Sequence, residues 1–162
     1  MPGRNRILLI TCIAVFSTQV WAQSDNEEEA ILSTINALFE ALENRDKPGL
    51  EATTVPGSLN ISTSIGADGS TRLTTLNYED LISALSRPGT TALERYWEPT
   101  VLVQGSIAVF WAPYDFHVDG EFTHCGIDSF QLIKRDGQWL ISNLSWTRET
   151  QNCEASPLGP AY

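Results

Sequence analysis

The chain has 162 residues, is 42% hydrophobic and 19% charged, and carries a formal net charge of −10. That length supports one domain with its own core and is too short for two comfortable ones. The excess of acid disfavours nucleic-acid phosphates and anionic lipid surfaces as partners and leaves neutral or cationic small ligands open.

Residues 1–22 read as a secretory signal peptide. Arg4 and Arg6 form a basic start, residues 7–16 an apolar run, and Val20-Trp21-Ala22 a cleavage site before Gln23. The apolar run falls well short of the roughly 20 residues a spanning helix needs, so the mature chain is expected to be exported, periplasmic or secreted, with no membrane span. A lipoprotein reading on Cys12 is the weaker alternative, because Thr11 is bulky for the position before an acylated cysteine. Cleavage removes two arginines and no acid, taking the formal charge from −10 to −12. It leaves a domain over residues 23–150 and a tail over 151–162. The mature chain keeps Cys125 and Cys153, in a compartment that permits disulfides. A bridge between them would tie the tail to the sheet and, by closing a loop of about 28 residues, stabilise the fold by roughly 3 kcal/mol in the chain-entropy model. The other reading is a buried thiol on the strand and a free one on the tail.

Residues 23–29 read as a short acidic leader. Ala30, Ile31, Ile35, Leu38, Phe39 and Leu42 then recur at three- and four-residue spacing, which predicts one apolar face of a helix ending near Arg45. Glu27, Glu28 and Glu29 fall in its expected first turn, with Arg45 and Lys47 at its end, a distribution that complements the helix dipole better than it suggests a metal site. Pro48-Gly49 stops that helix, and residues 50–54 form a further short turn. Alternation over residues 59–76, broken at Asp68-Gly69, predicts a rather polar hairpin. Asn77 is an expected N-cap for a short helix over residues 78–85, closed by Pro88-Gly89. Residues 96–103 read as one strand, followed by a turn or bulge at Gln104-Gly105.

Two long hairpins follow. Asp119-Gly120 and Asp136-Gly137 each favour a two-residue turn with both residues at positive φ. The first turn predicts His117 opposite Phe122, Asp115 opposite His124 and Trp111 opposite Asp128; the second predicts Leu132 opposite Ile141, Phe130 opposite Asn143 and Asp128 opposite Ser145. Strict alternation would then gather Trp111, Asp115, His117, His124, Asp128, Phe130 and Asn143 on one face, with Phe110, Tyr114, Phe116, Cys125 and Trp146 on the other. Both faces are substantially apolar, so helices are expected to cover one and a second copy of the chain the other, as a homodimer through the sheet.

The order helix, short helix, hairpin, helix and long curved antiparallel sheet resembles the NTF2-like α+β cone of nuclear transport factor 2, ketosteroid isomerase and SnoaL-like cyclases. The run Ile107-Ala108-Val109-Phe110-Trp111-Ala112-Pro113-Tyr114-Asp115-Phe116, with Gly120-Glu121-Phe122-Thr123-His124-Cys125-Gly126-Ile127-Asp128-Ser129-Phe130 and Asp136-Gly137-Gln138-Trp139-Leu140-Ile141, resembles exported bacterial members of the nuclear transport factor 2 family and lumazine-binding-like proteins. The fold so implied packs N-terminal helices on a curved antiparallel sheet. It carries little specificity for function, since such folds host enzymes, binders and assembly modules. No motif around the base aspartate or donor tyrosine of ketosteroid isomerase is matched.

The expected function is binding of a small, partly apolar molecule in the cone, with no cofactor. Trp111, His117, Phe130, Asn143 and Tyr78 are the candidate ligand-binding residues. The alternative is a cofactor-independent isomerase, dehydratase or cyclase in which Asp115 orients His124 as general base and Asp128 serves as acid or base. A structural role for the same polar residues, and a non-catalytic dimerisation module, stand beside it. A metal site on Asp115, His117 and His124 fits the spacing, although imidazoles diagonal across a hairpin often diverge. No phosphate loop, nucleophile elbow or zinc-spaced cysteine pair occurs.

Overall fold

In a computed structural model, residues 16–66 and 68–161 are described, with side chains described from Asn26 onward among the N-terminal residues. The proposed signal peptide lies outside the described residues except for the backbone of 16–22, and Cys12 lies outside them altogether. Among the described residues no helix is long and apolar enough to cross a membrane.

The elements follow the expected order: α1 (Phe16–Glu43), α2 (Lys47–Thr53), β1 (Leu59–Ile65), β2 (Thr71–Asn77), α3 (Tyr78–Leu85), β3 (Ala92–Tyr96), β4 (Thr100–Gln104), β5 (Ile107–Val118), β6 (Glu121–Arg135) and β7 (Gln138–Arg148). Helix α1 buries Ile31, Ile35, Leu38, Phe39 and Leu42 along one face against the sheet. It begins well before the expected start, so residues 23–29 are helical rather than a loose leader. No Gly or Pro interrupts residues 16–43, and Glu27 anchors this part through Lys134 Nζ at 2.6 Å and Trp139 Nε1 at 2.8 Å. The three glutamates therefore lie inside the helix, not at its dipole. Arg45 closes the helix at φ +56°, with the Asp46 amide donating to Ala41 O at 2.8 Å. Asn77 caps α3, its side chain accepting from the Asp80 amide at 2.8 Å, an arrangement worth about 1 kcal/mol.

The seven strands run β2-β1-β7-β6-β5-β3, with β4 also on β5. The sheet is mixed, because β1 runs parallel to β7. Buried Asn60 makes that junction. It accepts from the Leu144 amide at 3.2 Å and donates to Ser58 Oγ at 3.2 Å. The single strand expected over 96–103 is two strands, since Glu98 at φ +46° and Pro99 interrupt the pairing and β3 starts earlier, at Ala92.

Both predicted turns form, with Asp119, Gly120, Asp136 and Gly137 all at positive φ. Pairing matches the expected register next to each turn: His117 opposite Phe122, and Leu132 opposite Ile141. Each hairpin then takes one extra residue. The first bulge leaves Thr123 unpaired, so Phe116 faces His124 and Asp115 faces Cys125; the second leaves Ser142 unpaired, so Gln131 faces Asn143 and Phe130 faces Leu144. Each extra residue is a hydroxyl amino acid bonded to a cross-strand carbonyl, Thr123 Oγ1 to Phe116 O at 3.0 Å and Ser142 Oγ to Gln131 O at 3.1 Å. A one-residue slip exchanges faces, so the predicted distribution of polar side chains changes.

Candidate functional site

The bulges divide the predicted polar cluster in two. Residues directly opposed in a ladder share a face. On the inner face, toward α1, lie Phe110, Tyr114 and Phe116 of β5 and His124, Asp128 and Phe130 of β6, with Trp146 opposite Asp128. Asp115, His117 and Trp111 are on the outer face. Asn143 is there too, donating from Nδ2 to Leu59 O at 2.8 Å. The expected pairing of Asp115 with His124 therefore does not occur. Asp115, His117 and His124 cannot converge on one metal, and among the described residues no group of three metal-ligating side chains gathers. Trp111 is 49% exposed and Tyr78 opens α3 beside Lys47, Glu51 and Ile82, so neither joins the inner cluster.

The inner face carries an acid that the sequence reading did not single out. Glu94 in β3 pairs with Phe116, which puts its side chain on this face, near enough to Asp128 for each carboxyl to influence the other's charge. Asp128 is 1% exposed, and its Oδ2 has no hydrogen-bond partner among the described residues. Burial raises its pKa well above the ordinary value, and the Glu94 charge beside it adds to the rise. Glu94 keeps some residue surface, yet the crowding around its carboxyl makes desolvation the dominant influence. That lifts its pKa to about 7, with Asp128 bonding opposing and the Asp115 charge reinforcing the rise. Two carboxyls in contact cannot both ionise cheaply, so the pair holds protons at neutral pH.

Around this pair the environment is aromatic. His124 stacks on Phe116 with centroids 4.9 Å apart and meets Tyr114 edge-on at 5.8 Å. Its Nδ1 lies 2.8 Å from Thr123 Oγ1. Burial, then the Arg148 charge, lowers its pKa to about 4, so the ring is neutral at physiological pH, and among the described residues no carboxylate pairs with it to orient it as a base. Tyr114 donates to Thr147 O at 2.8 Å, and burial holds its phenol far above the usual range. Gly126 opposite Tyr114 allows that closeness, because a Cβ there would collide with the Thr147 carbonyl.

The outer cluster is an ion pair. Arg95 clamps Asp115 with Nε to Oδ1 at 2.9 Å and Nη2 to Oδ2 at 2.6 Å. Burial alone would raise the Asp115 pKa, but Arg95 and then His117 outweigh it and hold it below the ordinary value. The structure joins Cys125 to Cys153 beside this cluster.

No family model and no curated protein matches the chain. Solved structures do. An NTF2-like protein of unknown function from Silicibacter pomeroyi aligns at 16% identity and TM-score 0.59 over 78% of this chain and 98% of its own. An NTF2-like protein from Cytophaga hutchinsonii aligns at 18% and 0.62 over 75% and 97%. A candidate dehydratase of the NTF2-like family from Streptomyces avermitilis aligns at 10% and 0.57 over 77% and 97%. At these identities the likeness establishes the fold: this chain has the NTF2-like α+β cone.

Proposed function

We propose that this chain is an exported protein that binds a small, partly apolar molecule at the Glu94–Asp128 end of its cone. The observation that carries the reading is Asp128, buried beside Glu94 on an aromatic face, its Oδ2 unbonded among the described residues. An unsatisfied buried polar atom costs about 1–3 kcal/mol, which a ligand group bonded to it recovers. The complementary ligand presents one uncharged carbonyl or hydroxyl oxygen to the carboxyl pair and an apolar body to Phe116 and Trp146.

Thermal-shift screening of the chain from Gln23 onward against steroids, polyketide-like enones, flavins and pterins tests this. A ligand at 100 times its Kd raises stability by about 2.7 kcal/mol. The gain should shrink in Asp128→Asn, whose amide cannot share a proton with Glu94. Equal gains in both proteins would rule out the carboxyl pair as the site.

A specific observation also supports a second reading. Glu94 titrating near pH 7 suits general acid–base work, which would make it, rather than His124, the proton-transfer group of an isomerase or lyase. Glu94→Gln that keeps a ligand but loses its turnover would separate enzyme from binder.

The outer face supports the dimer. Leu102, Ile107 and Trp111 are exposed there, and Val109, Ser129, Gln131, Ile133, Asn143 and Ser145 on the same face are all uncharged. On so acidic a chain this uncharged patch of the outer face, apart from the Arg95–Asp115 pair, is where two copies can meet without repulsion.

A further inference from the structure

The outer Arg95–Asp115–His117 cluster is unused by that reading, and it is covered in an unusual way. After β7 the backbone pairing reaches Glu149, which exchanges hydrogen bonds with Cys125 at 2.9 and 3.0 Å. The chain then turns back at Asn152, φ +59°, and residues 153–161 run across the cluster. One end of this run is fixed by the bond from Cys153 to Cys125, the residue opposite Asp115 in the ladder. The far end is held by Arg95 Nη1 donating to Gly159 O at 3.1 Å.

Three observations describe a cover that is poorly fitted to what it covers. Residues 154–161 are themselves exposed or only partly covered, so they bury little apolar surface of their own. Between them and Arg95, Asp115, His117 and Phe122 a hollow of 260 Å³ remains. His117 is only 7% exposed, and among the described residues its ring has one loose polar contact, Nε2 at 3.4 Å from Asp115 Oδ1 and outside hydrogen-bond geometry, while Nδ1 has no partner. A buried imidazole with one nitrogen unmatched and the other only loosely paired opposes the closed arrangement, since water would satisfy both once the tail lifted. Something must offset that, and the covalent tether does so by keeping the tail at high local concentration over the cluster.

We propose that residues 154–161 are a removable cover over Arg95, Asp115 and His117, and that the Cys125–Cys153 bridge is the catch that keeps it closed. Opening takes two electrons from a dithiol. One thiolate attacks a bridge sulfur to form a mixed disulfide and release one protein thiolate. The second thiolate of the dithiol displaces the other protein sulfur. The products are two protein thiols, once the released thiolates take up protons, and one cyclic disulfide of the reagent. The sheet is unaffected, because the bridge joins β6 only to the tail. The exposed cluster then offers an imidazole beside a guanidinium–carboxylate pair.

The chain has two histidines, which makes the test internal. Diethylpyrocarbonate acylates accessible neutral imidazole, and mass spectrometry reads each site. Before reduction both histidines should react slowly, His117 under the tail and His124 inside the cone. After treatment with dithiothreitol and thiol capping, His117 should react about tenfold or more faster while His124 stays slow, as for a local opening. In a chain ending at Cys153, His117 should be reactive with the bridge intact and His124 still protected. Continued protection of His117 after reduction would show that the bridge is not the catch. Protection in the shortened chain would show that the tail is not the cover. If both histidines became reactive together on reduction, the bridge would be a staple for the whole fold and the proposal would fall.

Discussion

Glu94→Gln is expected to make the protein more stable at neutral pH, although it removes a carboxyl that neighbours the buried Asp128. The amide resembles the protonated carboxyl in shape, so at pH 4.5 the variant and the parent should have nearly equal stability. As pH rises, the parent must either ionise Glu94 in a crowded, proton-sharing site or hold its proton against solution. An acid whose folded pKa lies above its unfolded value contributes most below the unfolded pKa, and that contribution is lost as pH climbs through the folded pKa. For Glu94 the window runs from 4.5 to about 7. At 1.36 kcal/mol per unit this is up to about 3 kcal/mol, an upper bound because Glu94 keeps some contact with solvent. The assay is urea unfolding of both proteins at pH 4.5, 6 and 8 with the disulfide intact. At pH 8 the variant should be ahead by up to that amount, equivalent to about 6–12 °C in Tm for a chain of this size. Parallel pH profiles, or a variant weaker than the parent at pH 8, would refute the shared-proton account.

Two further outcomes follow from the geometry. The His124 imidazole should titrate by NMR with a midpoint near 4, because burial and then Arg148 disfavour its charged form; a midpoint above 6 would place the ring in solvent and undo the stacking on Phe116. Trp111→Glu, at an exposed outer-face position, should turn a dimer into a monomer in sedimentation at micromolar concentration without lowering Tm, whereas a parent that sediments as a monomer would remove the dimer from the account.

The fold was legible because its cues are local. The periodic apolar residues of α1, the cap at Asn77 and the two Asp-Gly turns each state a backbone geometry within a few residues of themselves. The site was not, and the reason is a parity effect. One extra residue in each hairpin, Thr123 and Ser142, moves Asp115 and Asn143 away from His124 and Asp128. The only sequence sign of either bulge is a hydroxyl residue within an alternating run, where it can bond a carbonyl across the ladder. Glu94 carries no such sign, because the strand pattern is legible only from Tyr96 onward and its approach to Asp128 requires β3 to pair with β5, a long-range contact without a local signature. The parallel β1–β7 junction is of the same kind; Asn60, wholly buried at the seam, is its one polar trace.

The central claim is that Glu94 and Asp128 share protons on the inner face at neutral pH. Carbon-13 NMR titration of the carboxyl carbons measures it directly. Glu94 should change charge near pH 7 and Asp128 only well above the ordinary aspartate range. Both carbons titrating below pH 5 would contradict the account.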